Sequence, residues 1–379
     1  METIKVLELF AGLGGFHIAV NNQRDANIQV IKSFEINVNA VKTYQENFGY
    51  DVISNRNILS LSTEELIRQN VNAIFMSPPC QPFTRLGKKL DVNDDRCNAF
   101  HHVLKLLPRT PNIQYLLIEN VYGFESSKMR ENMLEILQSS GFYTIEFLLS
   151  PTDFGVPNSR LRYYLLARKN KKFTFCKHDP PSILKEFTYC TCGGISLHDQ
   201  SSICSNCQRE VNTKISSLVQ QNTGNMKQSF LVNTSKLHSY LDEKTDIEQY
   251  AVPDKILLRY GNILDLRTFQ DSSSCCFTKG YTHLVEGSGS VLVCNRSVTI
   301  EEAYKAYNEF KETNSEAALN SLRKLKIRYF TPKEVERLMC FPDNYIWPKD
   351  LSDKTKYKLL GNSVNVHVVT LLVALLIHS

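Results

Sequence analysis

The sequence predicts an α/β protein with a mostly parallel sheet and a smaller domain inserted into it. Three observations predict this. Apolar strands alternate with amphipathic helices over the first 180 residues. The pattern turns irregular and rich in Ser, Asn, Gln and Cys from Pro180 to Lys326, and regular periodicity returns at Tyr329. The expected division is 1–180, 181–327 and 328–379, with the last piece rejoining the first. A chain of 379 residues is longer than one ordinary core requires.

Each element has a local cause. "IKVLELF" from Ile4 and "IQVIKSFEI" from Ile28 are strand-like, and "NVNAVKTYQENF" from Asn37 is helical. Ser62 stands three residues before Glu65, the spacing of a capping box. "VNAIFM" from Val71 and "YLLIEN" from Tyr115 are short apolar runs of buried-strand type. "MRENMLEILQSSG" is helical and stops at Gly141; "RLRYYLLAR" from Arg160 is strand-like. Thr331 as N-cap, Pro332 at the first helical position and Glu334 at the third begin a helix. "KYKLLGNSVNVHVVTLLVALL" from Lys356 reads as a loop followed by a long apolar helix.

Composition narrows the class. Apolar residues make up 42% and charged residues 22%, as in globular proteins. The net charge of +5 fits an anionic partner without requiring one. Basic residues concentrate at Arg160, Arg162, Arg168, Lys169, Lys171 and Lys172, and again at Arg323, Lys324, Lys326 and Arg328. The N-terminus has no basic segment before a long apolar run, so no secretory signal is expected. The apolar tail from Val366 is too short to span a bilayer and reads as a core helix, so no membrane partner is expected. Eleven cysteines without a signal imply thiols in a reducing compartment, the cytoplasm first and the nucleus second.

Several residues carry chemistry. Gly12, Gly14 and Gly15 follow the first strand, where they let the backbone turn tightly and leave room for a ligand beside the helix start. Glu35 ends the next strand, where a carboxylate can accept from ribose hydroxyls. The glycine spacing is a poor match to a dinucleotide fingerprint, which argues against an NAD enzyme. Cys80 follows a strand and is stiffened by Pro78 and Pro79; it is a nucleophile or a buried structural thiol, and the metal reading is poor. Glu119 sits at a strand end, either capping a turn or held partly desolvated with a raised pKa. Arg160 and Arg162, two apart on a strand, would share one face.

Their joint order is more specific than any one of them. Phe10-Ala-Gly-Leu-Gly-Gly, Glu35, Pro78-Pro79-Cys80-Gln81, Glu119-Asn120-Val121, Arg160-Leu-Arg162 and Gly361-Asn362-Ser363-Val364 resemble the ordered motifs of the cytosine-5 methyltransferase family. The resemblance covers residues 4–170 and 328–379, and it implies a Rossmann-like methyltransferase sheet with a target recognition domain between the arginine motif and the Gly-Asn-Ser segment. Cys276-Phe277-Thr278, with Thr84 and Arg85 after Cys80, looks like the branch that methylates tRNA, on an anticodon-loop cytosine, usually of an aspartate tRNA.

The resemblance also implies roles. Cys80 would attack cytosine C6, Glu119 would bond N3 and the exocyclic amine, and Arg160 and Arg162 would hold O2 and the active-site loop. S-adenosylmethionine, leaving as S-adenosylhomocysteine, would lie against Phe10 and Gly12, Leu13, Gly14 and Gly15, with Glu35 on its ribose and Ile36 on its adenine. Asn57, where bacterial relatives often carry Asp, and Ile58 would meet the adenine edge; Ser77, Pro78, Asn362, Ser363 and Val364 would complete the pocket. Lys88 and Lys89, with the basic clusters, would bind the tRNA backbone; Thr84, Arg85, Cys276, Phe277 and Thr278 would help select the substrate. A monomer is expected. The alternatives are a DNA cytosine methyltransferase and an idle nucleic-acid-binding protein on the same fold. Cys190, Cys192, Cys204 and Cys207 offer either a small zinc site or free thiols; the first pair is spaced more tightly than usual, and the family brings no metal here, so none is assigned.

Overall fold

The computed structural model describes residues 2–24, 26–79, 98–173, 183–185, 188–190, 194–196, 234–242 and 244–378. In chain order its elements are β1 (Ile4–Leu9), α1 (Gly15–Asn21), β2 (Ile28–Phe34), α2 (Val38–Phe48), β3 (Ile53–Ser54), α3 (Thr63–Arg68), β4 (Ala73–Met76), α4 (Asn98–Leu106), β5 (Tyr115–Val121), α5 (Lys128–Ser139), β6 (Phe142–Leu149) and β7 (Arg162–Lys169). A hairpin of β8 (Thr188–Cys190) and β9 (Gly194–Ser196) follows, then α6 (Asp254–Tyr260), β10 (Leu266–Arg267), β11 (Val291–Val293), α7 (Ile300–Phe310), α8 (Ser315–Arg323), β12 (Ile327–Tyr329), α9 (Pro332–Leu338), α10 (Asp353–Gly361) and α11 (Val366–His378).

Among the described residues β1–β7 form one sheet in the order β3-β2-β1-β4-β5-β7-β6. β1 pairs in parallel with β2 and β4, β3 with β2, and β5 with β4, while β7 runs antiparallel to β5 and β6. The fold is therefore the expected mostly parallel α/β methyltransferase sheet. Side chains alternate across it. Leu7 and Leu9 pack with Phe100, Leu104, Met133 and Leu137 of α4 and α5 on one face. Val6 packs with Phe16, Ala19, Val368 and Leu372 of α1 and α11 on the other. The apolar α11 is a core helix, as its sequence suggests.

Local signals account for most helix starts. Asn37 accepts the Asn39 and Ala40 amides at the head of α2. Thr331 and Glu334 form both halves of the capping box that opens α9. At α3 only half of the expected box forms: Ser62 accepts the Glu65 amide, but the Glu65 carboxylate turns to Arg56 at 2.5 Å. A charged partner at that distance is the stronger competitor for the carboxylate. Two further differences concern elements. "KYKLLG" is not a loop but the body of α10, capped by Ser352, and "FYTIEFLL", unassigned in the sequence reading, is β6.

The inserted region has its own core, in which Val291 and Val293 of a small sheet ordered β10-β11-β12 pack with Leu257, Tyr307, Leu319 and Leu322. A further cluster joins it to the first domain: Leu13 of the glycine turn, Phe277, Tyr281, Phe330, Leu338 and Leu360 pack together. β12 spans the expected return point at 328, with Ile327 buried in the inserted core.

The basic clusters do not form continuous charged faces. Arg160, Arg168 and Arg328 are buried, and Arg323 is paired with Asp254 and Glu316. Lys171, Lys172, Lys324 and Lys326 remain exposed.

Candidate active site

The carboxyl ends of β1, β2, β4 and β5 lie side by side, which is where open α/β sheets place their ligands. β1 leads into a turn in which Phe10, Gly12 and Gly14 all have positive φ, at 55°, 52° and 77°. The three glycines do different jobs. A Cβ on Gly12 would meet only Phe10 O at 4.0 Å, so open space lies beside it. A Cβ on Gly14 would strike Phe48 at 2.4 Å, and one on Gly15 would strike Val364 Cγ2 at 2.4 Å. Gly14 and Gly15 thus permit protein packing, and Gly12 alone leaves room for a ligand.

Glu35 closes the turn. Its Oε2 accepts the Gly12 amide at 2.9 Å and its Oε1 accepts the Asn37 amide at 2.8 Å. Each oxygen keeps a second lone pair, enough for ribose hydroxyls. Beside it Ile36 is 68% exposed, an apolar side chain with little protein cover. These features fit an adenosyl ligand. Asn57 spends its side-chain oxygen on the Leu59 amide, and Ile58 is buried in the core. Tyr345 donates to Leu13 O at 2.7 Å and so steadies the turn; a lone tyrosine 332 residues away carried no sequence signal.

Ser77 and Pro78 leave β4 next to Glu119 on β5, since Met76 pairs with Ile118. Cys80, Thr84, Arg85, Lys88 and Lys89 lie outside the described residues, as do Cys192, Cys204 and Cys207. Glu119 is 8% exposed. Burial raises its pKa above the usual carboxylate range, against the opposing pull of Arg162 and Arg160. The buried Ser77 hydroxyl nearby makes no well-formed hydrogen bond, so its pull on Glu119 is small. Arg162 Nε lies 3.6 Å from Glu119 Oε1.

The two arginines are not equivalent. β7 begins at Arg162, and Arg160 precedes it, so they do not share a strand face. Arg160 is 3% exposed and clamps two distant segments. Its Nη1 donates to Phe277 O at 3.0 Å, and its Nη2 to Gly361 O at 3.1 Å and Ser363 O at 2.5 Å. These terminal nitrogens are engaged by protein acceptors, whereas the Arg162 Nε faces Glu119. Both reach Cys276 Sγ, Arg160 Nη1 at 3.2 Å and Arg162 Nη2 at 3.5 Å. Burial pushes the Cys276 thiol up, but the two guanidinium groups outweigh it and hold the thiol below its usual value.

Phe277 is a core residue, packed on Tyr281 and Phe330 at ring separations of 4.9 and 5.2 Å, rather than a surface for substrate. Thr278 abuts Gly361 so closely that a Cβ there would lie 2.2 Å from the Thr278 carbonyl carbon. Asn362 is exposed, whereas Ser363 and Val364 are buried behind the glycine turn. Asn158, not singled out in the sequence, donates to Ser274 Oγ and Cys275 O and fixes the loop before Cys276. Among the described residues, Ser77 Oγ, Asn120 Nδ2, Asn158 Oδ1 and Arg160 Nε are buried and make no hydrogen bond.

The family described as C-5 cytosine-specific DNA methylase matches residues 4–378. A human tRNA (cytosine(38)-C(5))-methyltransferase is 37% identical, over 99% of this chain and 100% of its own length. A Dictyostelium discoideum protein called DNA (cytosine-5)-methyltransferase is 36% identical, over 100% of this chain and 95% of its own. A crystal structure of a mutant DNMT2 from Spodoptera frugiperda superposes with a TM-score of 0.78 at 36% identity, covering 99% of each chain.

Proposed function

The chain belongs to the C-5 cytosine-specific DNA methylase family, and we propose that it methylates C5 of cytosine 38 in a tRNA. The observation that carries the reading is full-length similarity to tRNA methyltransferases, joined to a desolvated Glu119 beside Arg162 at the strand ends. Cytosine C5 is a weak nucleophile. Addition of the Cys80 thiolate at C6 would make it enamine-like, and a thiolate is far more accessible at neutral pH than an alkoxide. Glu119, its proton favoured by burial, would donate to N3 and accept from the exocyclic amine as charge builds on the ring. Arg162 would hold O2, while Arg160 keeps the recognition loop against the Gly361–Val364 turn. Bound S-adenosylmethionine supplies an electrophilic methyl group on a sulfonium. Gly12, Glu35 and Ile36 would hold its adenosyl part. Loss of the C5 proton to water and departure of the Cys80 thiolate from C6 would restore the ring. A base in a loop is cheaper to extrude into such a pocket than a paired one.

Incubation with labelled S-adenosylmethionine and either total small RNA or genomic DNA tests the reading, with Cys80→Ala as control. Label is expected in small RNA and absent with Cys80→Ala. Label in DNA alone would favour the DNA enzyme, and transfer by a well-folded Cys80→Ala protein would sink the mechanism.

A further inference from the structure

A depression of about 590 Å³ lies on the inserted region, lined by His238, Phe269, Gln270, Cys294, Arg296 and Arg328 among others. Its volume suits one small ligand. The Arg296 guanidinium carbon sits 4.4 Å from the centre of the Phe269 ring, and Arg296 is exposed, so the ring covers one side of the group and leaves it accessible from solvent. Among the described residues no carboxylate pairs with Arg296. The acid on the wall, Asp242, is engaged by Arg337 at 2.6 Å, and the buried Arg328 by Glu334. His238 adds an exposed imidazole. The lining therefore offers a flat cationic platform and hydrogen-bond donors, with its negative charge already neutralised.

The depression and the candidate active site are served by one backbone segment. Phe269 O accepts the His238 amide, Asp271 O accepts the Leu237 amide, and the same segment continues to Cys276 between Arg160 and Arg162. Phe269 and Cys276 are seven residues apart in the sequence. That segment can span at most about 25 Å, a few nucleotides of extended RNA. We infer that this depression binds a second, unstacked nucleotide of the RNA chain whose target cytosine occupies the active site, its base stacked on the accessible side of Arg296, which Phe269 backs. The inference rests on the tRNA reading above. Aromatic and guanidinium platforms hold single-stranded bases in this way.

The test measures total tRNA binding to the full-length protein without cofactor, and methyl transfer with it. Arg296 is exposed, so Arg296→Ala is expected to fold normally. The affinity for tRNA and the KM for tRNA should both worsen about tenfold, with kcat at saturating tRNA within about twofold. Arg296→Lys should recover little, because an ammonium group has no planar face. Unchanged affinity in Arg296→Ala, or full recovery in Arg296→Lys, overturns the proposal. Adenosine or guanosine monophosphate at millimolar concentration forms a further arm. Binding that depends on Arg296 for the monophosphate but not for tRNA would assign the depression to free nucleotides and overturn the proposal. The binding arm reads the site even if tRNA methylation itself is not observed.

Discussion

Glu119 sits between two opposing influences, burial that favours its proton and two arginines that favour its charge. Glu119→Gln keeps the shape but cannot shift between donor and acceptor as charge develops. Methyl transfer is expected to fall by about 10²–10⁴-fold, with tRNA affinity nearly unchanged; a near-normal single-turnover rate would remove Glu119 from this role. A second carboxyl, Glu8, lies wholly buried under the glycine turn, accepting from Tyr44 at 2.7 Å and Ser33 at 3.2 Å. Burial raises its pKa to about 7. An acid raised on folding gives its full stability below its unfolded value, and that stability is lost as pH rises through the folded one. His17, lowered by burial to about 4, acts oppositely: its contribution is present above its unfolded value and lost as pH falls. Glu8→Gln isolates the first effect. Its stability relative to the natural protein should rise by about 3 kcal/mol between pH 4.5 and 7.5, read from denaturant midpoints; a flat difference would show that Glu8 does not titrate there. At this scale the sequence marked Glu119, Arg162 and the glycine turn, because each belongs to a short pattern. It could not separate Arg160 from Arg162, because Arg160's acceptors lie 117 to 203 residues away.

Elements were legible where their cause is local. Asn37, Ser62 and Thr331 cap helices by bonding amides two or three residues on, so the signal is complete within a short window. β6 and α10 were not, since β6 is fixed by pairing with β7, and α10 by packing of Tyr357, Leu359 and Leu360 against distant Phe330 and Tyr281. The start of α1 depends on such a distant neighbour too. Alanine in place of glycine within a helix ordinarily adds about 1 kcal/mol of stability. At Gly15 the new Cβ would meet Val364 Cγ2 at 2.4 Å, and overpacking of this kind costs about 1–3 kcal/mol. Gly15→Ala is therefore expected to destabilise the protein and weaken cofactor binding, and Val364→Ala in that background should recover part of the loss. A double-mutant cycle by thermal unfolding checks this; additive effects would mean that the two residues do not share the space.

Across the whole molecule, the inserted region is bolted to the first domain by charge as well as by apolar packing. Arg328 on β12 and Glu334 in α9 are both almost fully buried and meet through two bonds of 2.7 Å. The same carboxylate also accepts the Thr331 and Asp242 amides. Replacing such a pair outright can be neutral, but removing one partner strands a buried charge and costs about 3–5 kcal/mol. Glu334→Gln should therefore destabilise strongly. The loss should also spread. Tyr281 receives the Phe330 amide and donates to Ser290 O, Tyr357 donates to Phe330 O, and Thr278 abuts Gly361. A disturbance at β12 thus has a packed route to the Cys276 loop and to the turn that Arg160 clamps. In amide hydrogen exchange, Glu334→Gln should lower protection together in β11, β12, residues 276–281 and the end of α10. Loss confined to residues 327–334 would show that the inserted region is fastened locally and that its recognition loop is held by Arg160 alone.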